Sequence, residues 1–414
     1  MRTATAFSEA HCVKLDAPAG SSNGRVRELD GLRGVAVLSI VLLHYVIGTL
    51  QVTPGSLPAY AQKYMSFLWV GVDIFFVLSG YLIGGILLDN RLARNCLQVF
   101  YLRRGLRLLP AYLLLLSLFA LALAGWRAAP KEEMRWLMSE PLPLWTYLFY
   151  VQNFFMAAGG QFGSKFMAAT WSLAVEEQFY LCFPLLVRWC PSRLLARVLI
   201  GLILAAPILR FILCLSPSDS YMSRYVLMPS RWDSLLLGVL AAWVTRQPAV
   251  FAFLTARRRA VRAVFVFACA VTALFPFAGG QKEHITFFSA VICNLWIAVT
   301  VALLLILLRI GCLEALQSIL RLRLLRFFGR ISYSVYLFHT AFLGLVFAIV
   351  LHKEPQILVW TDWVAVAAAF ALTVVFAQAT WKLFEERSIR LGHKISYQRP
   401  MALHAGETAR VVNL

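Results

Sequence analysis

The 414-residue chain is 60% hydrophobic and only 14% charged, where a soluble domain carries about a quarter charged residues. Apolar runs near the ~20 residues needed to cross a hydrocarbon core recur along its whole length, which excludes a soluble enzyme and defines a polytopic membrane protein. The net charge of +19 does not mark a nucleic-acid binder, because Lys and Arg fall in short clusters between apolar runs, the pattern that orients membrane helices.

In chain order, residues 1–30 lack the apolar core and small-residue cleavage site of a signal peptide, and 1–28 read as a polar cytoplasmic arm. The fold expected is all-α, with about ten transmembrane helices near 34–52, 68–88, 108–126, 170–187, 194–215, 232–245, 263–279, 285–308, 331–351 and 359–381. The stretch 142–158 is short, opens with Pro141 and Pro143 and holds Gln152 and Asn153. It reads as re-entrant or interfacial rather than as a crossing. With both ends in the cytoplasm, clusters such as Arg103, Arg104 and Arg107, Arg257–Arg259, and Arg321, Arg323, Arg326 and Arg330 all fall inside. The long outer connections are then 53–67, 127–169 and 216–231, and 391–414 is a cytoplasmic tail. The eight cysteines form no CxxC pair, so neither zinc nor a disulfide framework is indicated, and no metal site is expected.

Ionisable groups inside membrane helices are costly and mark function. In the first helix Arg33 and His44 are eleven apart, which returns to within ~20° of one face and spans ~16 Å along the axis. Arg33 then sits at the cytoplasmic rim and His44 near mid-membrane, where a neutral imidazole can serve as a general base. The second helix carries Asp73 at a depth close to that of His44. It either orients or polarises the histidine, or stabilises the bundle. Arg104 and Arg107 share a face of the third helix, and their planar forks suit a phosphorylated carrier as well as a helix anchor.

Trp171 to Tyr180 holds adjacent carboxylates, Glu176 and Glu177, one to two turns into a helix. Glu176 and Tyr180, four apart, share a face. Arg231 and Asp233, at the outer mouth of the sixth crossing, form a local ion pair or meet an extracytoplasmic substrate. Ser332, Tyr336 and His339 make an i, i+4, i+7 stripe that lines a polar cavity.

Together these stretches resemble the membrane-bound acyltransferase-3 family, which includes bacterial sugar O-acyltransferases. The match runs over roughly 27–390, so 29–390 is expected to be the acyltransferase transmembrane domain. It rests on Leu29-Asp30-Gly31-Leu32-Arg33-Gly34 with His44, on Gly71-Val72-Asp73 through Ser79-Gly80-Tyr81, on Arg104 and Arg107, on Trp171–Tyr180, and on Ser332–His339.

The resemblance implies acyl-CoA, most simply acetyl-CoA, as co-substrate from the cytoplasm, with no permanently bound cofactor. It implies a hydroxyl of a cell-surface carbohydrate or glycolipid as acceptor, such as lipopolysaccharide or exopolysaccharide, and the bacterial inner membrane as location. The roles expected are His44, Asp73 and Glu176 in catalysis, with His44 either the general base or a transient acyl acceptor; Arg33, Arg104, Arg107, Ser332 and Tyr336 toward the acyl donor; and Trp171, Tyr180, Arg231, Asp233 and His339 in the acceptor pocket. Many members carry an added hydrolase-like domain after the last helix. This sequence stops some thirty residues beyond that point, which disfavours acceptors requiring the extra domain. A transporter or flippase of a saccharide or anionic lipid-linked substrate is the competing class.

Overall fold

The computed structural model describes residues 26–215, 221–276 and 291–398, and over them the chain is all-α. The one β-bridge among the described residues joins Leu50 to Ile357 and ties the loop after the first crossing to the loop before the last. The expected arm 1–28 lies almost wholly outside the described residues, as do most of the tail 391–414 and the start of the expected crossing 285–308.

The long helices are α1 (Arg27–Leu42), α2 (Val70–Asn90), α3 (Cys96–Ala128), α4 (Trp171–Trp189), α5 (Ser192–Cys214) and α6 (Trp232–Val244). They continue as α7 (Pro248–Ala256), α8 (Arg258–Leu274), α9 (Cys293–Ile310), α10 (Arg323–Val346) and α11 (Trp360–Thr380).

Over the described residues each expected crossing coincides with one of them, while fewer than ten are both long and apolar enough there to cross a membrane. Among the described residues seven helical segments are long and apolar enough to cross a membrane, or eight if α6 and α7, bent 91° apart, form one broken span. The others fall short for physical reasons: α4 carries Glu176, Glu177 and Arg188 within 19 residues, and α8 has only 17 residues. The 142–158 stretch breaks into the short helices Leu144–Leu148 and Gln152–Gly159, neither long enough to cross. Its buried amide donors find partners within the protein, as polar groups at membrane depth require: Gln152 donates to the Thr170 carbonyl and Asn153 to that of Val226.

Small residues set the packing. α1 lies against both α2 and α10, α2 lies against α6, and α6 is flanked by α5 and α9. Where α2 and α6 cross, Gly80 faces the backbone of Leu235 and Gly238 faces that of Val77, so closely that a Cβ on either would collide. Lipid offers no hydrophobic drive between helices, and such backbone approach supplies packing instead. The outer helices turn apolar side chains outward, among them Leu113 and Leu121 of α3 and Ile200, Leu204 and Ile208 of α5.

Three of these helices loosen at particular points, α10 among them in a π turn at Phe347–Leu351. α1 runs into a π turn at Leu43–Ile47, and α11 into another at Trp381–Glu385. Widened turns of this kind re-aim side chains and recur at functional sites. The turn of α1 carries His44 and that of α11 ends on Glu385.

Candidate active site

His44 lies where α1 meets α10. Its Nδ1 is 2.8 Å from Nε2 of His339, and the two rings stack with centroids 5.0 Å apart. His339 is fully buried, and its Nδ1 lies 2.7 Å from the Tyr336 carbonyl oxygen. A carbonyl only accepts, so His339 Nδ1 carries the proton and, in the neutral ring, Nε2 carries the lone pair. That lone pair can only be met by a proton on His44 Nδ1. The chain of bonds therefore selects the His44 tautomer whose basic nitrogen is Nε2. The neighbouring Tyr45 hydroxyl donates to the His339 carbonyl at 2.8 Å and meets Thr373 at 2.8 Å, pinning the π turn to α10 and α11.

His44 lines a cavity of about 610 Å³. The expected outer connections converge on it: Trp69 follows the first, Trp136, Phe162 and Lys165 belong to the second, and Tyr221, Arg224 and Tyr225 to the third. A smaller cavity of about 50 Å³ is lined by Arg33, Arg104, Arg107, Ser79, Glu176 and Ser332. The two cavities share Val72 and Tyr336 as walls. Tyr336 is held there by Ser172 Oγ at 2.7 Å and by donation to the Ala169 carbonyl at 3.1 Å.

The structure thus gathers three arginines from two helices around one small chamber, with Val72 and Tyr336 between that chamber and the histidine cavity. Glu176 balances the arginine side: it accepts from Ser79 at 3.0 Å and from Tyr180 at 2.8 Å, and the Arg104 guanidinium lies 4.1 Å over the Tyr180 ring. The shared face of Glu176 and Tyr180 is realised, but it points toward the arginines.

Asp73 does not reach His44. It is fully buried, paired with Arg231 at 2.9 Å and bonded by Ser234 Oγ at 2.9 Å, which is the bundle-stabilising alternative. Arg231 and Asp233 do not pair with each other either. Residues two apart at a helix start diverge by ~200°, so Arg231 turns to Asp73 on α2 while Asp233 turns to Arg210 on α5 at 2.8 Å. Neither lines the cavity, although Arg231 backs its wall, 5.4 Å from the Tyr225 ring and 5.9 Å from that of Trp171. His339 sits behind His44 instead of lining the cavity, Tyr180 stands on the arginine side, and Trp171 does line the His44 cavity.

Several residues of the site carry no motif signal. Glu385 is buried, accepts from Ser334 and lies within electrostatic reach of Arg107 and Arg33. In sequence it looks like a charged anchor at the end of a crossing. Arg210, inside the apolar run of α5, was detectable as an intramembrane charge.

Over the described residues the chain is an all-α bundle of apolar, membrane-length helices in which an arginine-lined chamber adjoins a histidine-lined cavity. Residues 26–382 match the acyltransferase-3 family, described as an acyltransferase domain. The chain belongs to that family. It is similar to the peptidoglycan O-acetyltransferase OatA of Listeria monocytogenes serovar 1/2a, at 27% identity over 90% of this chain and 57% of the relative. It is similar also to the O-acetyltransferase OatA of Staphylococcus aureus strain NCTC 8325, at 29% identity over 52% of this chain and 34% of the relative. A Staphylococcus aureus strain COL protein named provisionally as an O-acetyltransferase is 26% identical over 90% of this chain and 58% of its own length. The match spans little more than half the length of two of these relatives and about a third of the other. No solved structure matches it.

Proposed function

We propose that this chain is a membrane O-acyltransferase that moves an acetyl or other short acyl group from acyl-CoA to a hydroxyl of a cell-surface carbohydrate. The observation that carries the reading is the His44–His339–Tyr336 hydrogen-bond chain at the wall of a large cavity that abuts an arginine-lined chamber at Val72 and Tyr336. The family and the relatives named as O-acetyltransferases support acyl transfer, with acetyl as the group.

In this reading Arg33, Arg104 and Arg107 receive the phosphates of the carrier on the cytoplasmic side, and the extended pantetheine arm passes Tyr336 to bring the thioester to His44. His44 Nε2 takes the proton of the acceptor hydroxyl as its oxygen attacks the thioester carbonyl. The new C–O bond forms, the C–S bond breaks, and the departing thiolate recovers the proton from the imidazolium, leaving free CoA and the ester. His339 Nε2 keeps accepting from His44 Nδ1 throughout, so the charged ring retains its partner. Glu176 and Ser332 help shape the donor chamber, and the Asp73–Arg231 and Asp233–Arg210 pairs hold α2, α5 and α6 in place around it.

Release of free thiol from acetyl-CoA by the purified chain, with an envelope oligosaccharide as acceptor, tests the reading. Turnover that disappears in His44→Ala supports it. A folded chain that moves labelled saccharide across vesicles and never releases CoA overturns it.

A further inference from the structure

The aromatic wall of the His44 cavity has a chemistry of its own. Tyr225 is its hub: its ring stacks on Tyr221 at 5.1 Å, lies 4.6 Å from Trp171 and meets the edge of Phe162 at 6.1 Å. Trp69 and Trp136 add to this wall. Aromatic faces with polar tips are suited to the alternating C–H and hydroxyl faces of sugar rings. A volume of about 610 Å³ lies in the middle of the range for small-molecule sites.

The charged side chains among the cavity's described lining residues are basic. Lys165 and Arg224 line the cavity, and no acidic residue does so among the described residues. Lys165 is exposed, and Arg224 directs one guanidinium nitrogen to Cys214 Sγ at 3.0 Å. Both come from the connections 127–169 and 216–231, and neither lines the arginine chamber.

The geometry points to an acceptor site for an acidic saccharide, a sugar bearing a carboxylate or phosphate, stacked on the Trp171–Tyr225–Tyr221 wall with its anionic group at Lys165 and Arg224. This inference rests on the acyltransferase reading for its use, but recognition at the wall is independent of any acyl donor. A lipid headgroup would use the same two cations but would leave the aromatic wall without a ring to stack on.

The test is binding, without acyl-CoA, to the full chain in detergent, by saturation-transfer NMR or equilibrium dialysis. The probes are a hexuronic-acid oligosaccharide, the same oligosaccharide with its carboxyls reduced, a sugar phosphate, and glycerol phosphate as the headgroup without the sugar. Ion pairs of this kind each contribute modestly, so the acidic sugars should bind about three- to tenfold more tightly than the reduced one. Added salt should narrow that gap. In Lys165→Gln/Arg224→Gln the preference should fall close to unity with the reduced sugar unaffected, and Lys165→Gln alone, at an exposed position, should lower it partway.

Equal binding of acidic and reduced sugars, or absent binding of both, overturns the inference. So does an undiminished preference in the folded Lys165→Gln variant, or glycerol phosphate binding as tightly as the acidic sugars. Because no thioester is present, failure here leaves the His44→Ala turnover test of the acyltransferase reading untouched.

Discussion

Replacing His339 by Leu should slow the transfer step while leaving acyl-CoA binding intact. His339 Nε2 is the acceptor of the His44 Nδ1 proton at 2.8 Å, and its own Nδ1 is committed to the Tyr336 carbonyl. Leucine offers no acceptor, so His44 either keeps a buried proton without that partner or shifts it to Nε2 and loses its basic nitrogen on the cavity side. Leaving a buried donor unsatisfied costs about 1–3 kcal/mol. At 1.36 kcal/mol per factor of ten, kcat should fall about tenfold to a hundredfold. The donor arginines line a separate chamber, so KM for acyl-CoA should stay within about twofold. His339→Gln places an amide oxygen near the lost Nε2 and should recover part of the rate. The assay is steady-state thiol release from acetyl-CoA at saturating acceptor, with thermal unfolding in detergent run alongside to establish that each variant is folded. A folded His339→Leu protein with undiminished kcat would refute the tautomer argument.

Removing one donor cation should act differently. Arg104→Ala or Arg107→Ala should raise KM for acyl-CoA about tenfold or more, since a charge-assisted hydrogen bond contributes roughly 1.5–3 kcal/mol, with kcat changed much less; titrating the thioester in steady-state kinetics reads both. Asp73→Ala strips a fully buried arginine of its partner and should destabilise the chain by about 3–5 kcal/mol, whereas Asp73→Leu combined with Arg231→Met should recover most of that loss. Thermal midpoints in detergent decide it, and a stable Asp73→Ala protein that is merely inactive would point back to a chemical role. Gly80→Ala forces a Cβ into the backbone of Leu235 and should cost about 1–3 kcal/mol, read by the same unfolding measurement. Direct attack by the acceptor further predicts that no acyl adduct appears on His44 in intact-protein mass spectrometry after mixing with acetyl-CoA alone.

The helical fold was legible because every apolar run near membrane length announces itself in composition, and each of the ten expected segments coincides with a helix over the described residues. Their capacity to span was less legible. The break between α6 and α7 is a bend at Pro248 that a hydropathy window smooths over, and Glu176, Glu177 and Arg188 lower the apolarity of α4. Within the site, spacing along one helix transferred well: Arg104 with Arg107, and Glu176 with Tyr180, do share faces. Pairings between helices did not. Asp73 was expected at the depth of His44, but depth does not give azimuth, and α2 turns Asp73 toward α6 while α1 turns His44 toward α10. The same limit exchanged the partners of Arg231 and Asp233. His339 was recognisable as an intramembrane histidine, but its position behind His44 depends on the π turn at Leu43–Ile47, which nothing in the local sequence announces. The aromatic wall was equally hidden, because Phe162, Lys165, Tyr221 and Tyr225 come from connections that look like ordinary loops.

The most direct test follows labelled acetyl from acetyl-CoA into an ester on an envelope oligosaccharide, using purified wild-type chain and the His44→Ala variant under one set of conditions. The account predicts labelled ester from the wild type and a loss of about 10²–10⁴-fold in its rate of formation in the variant, with both proteins unfolding at similar temperatures. Ester formed at the wild-type rate by folded His44→Ala would contradict it.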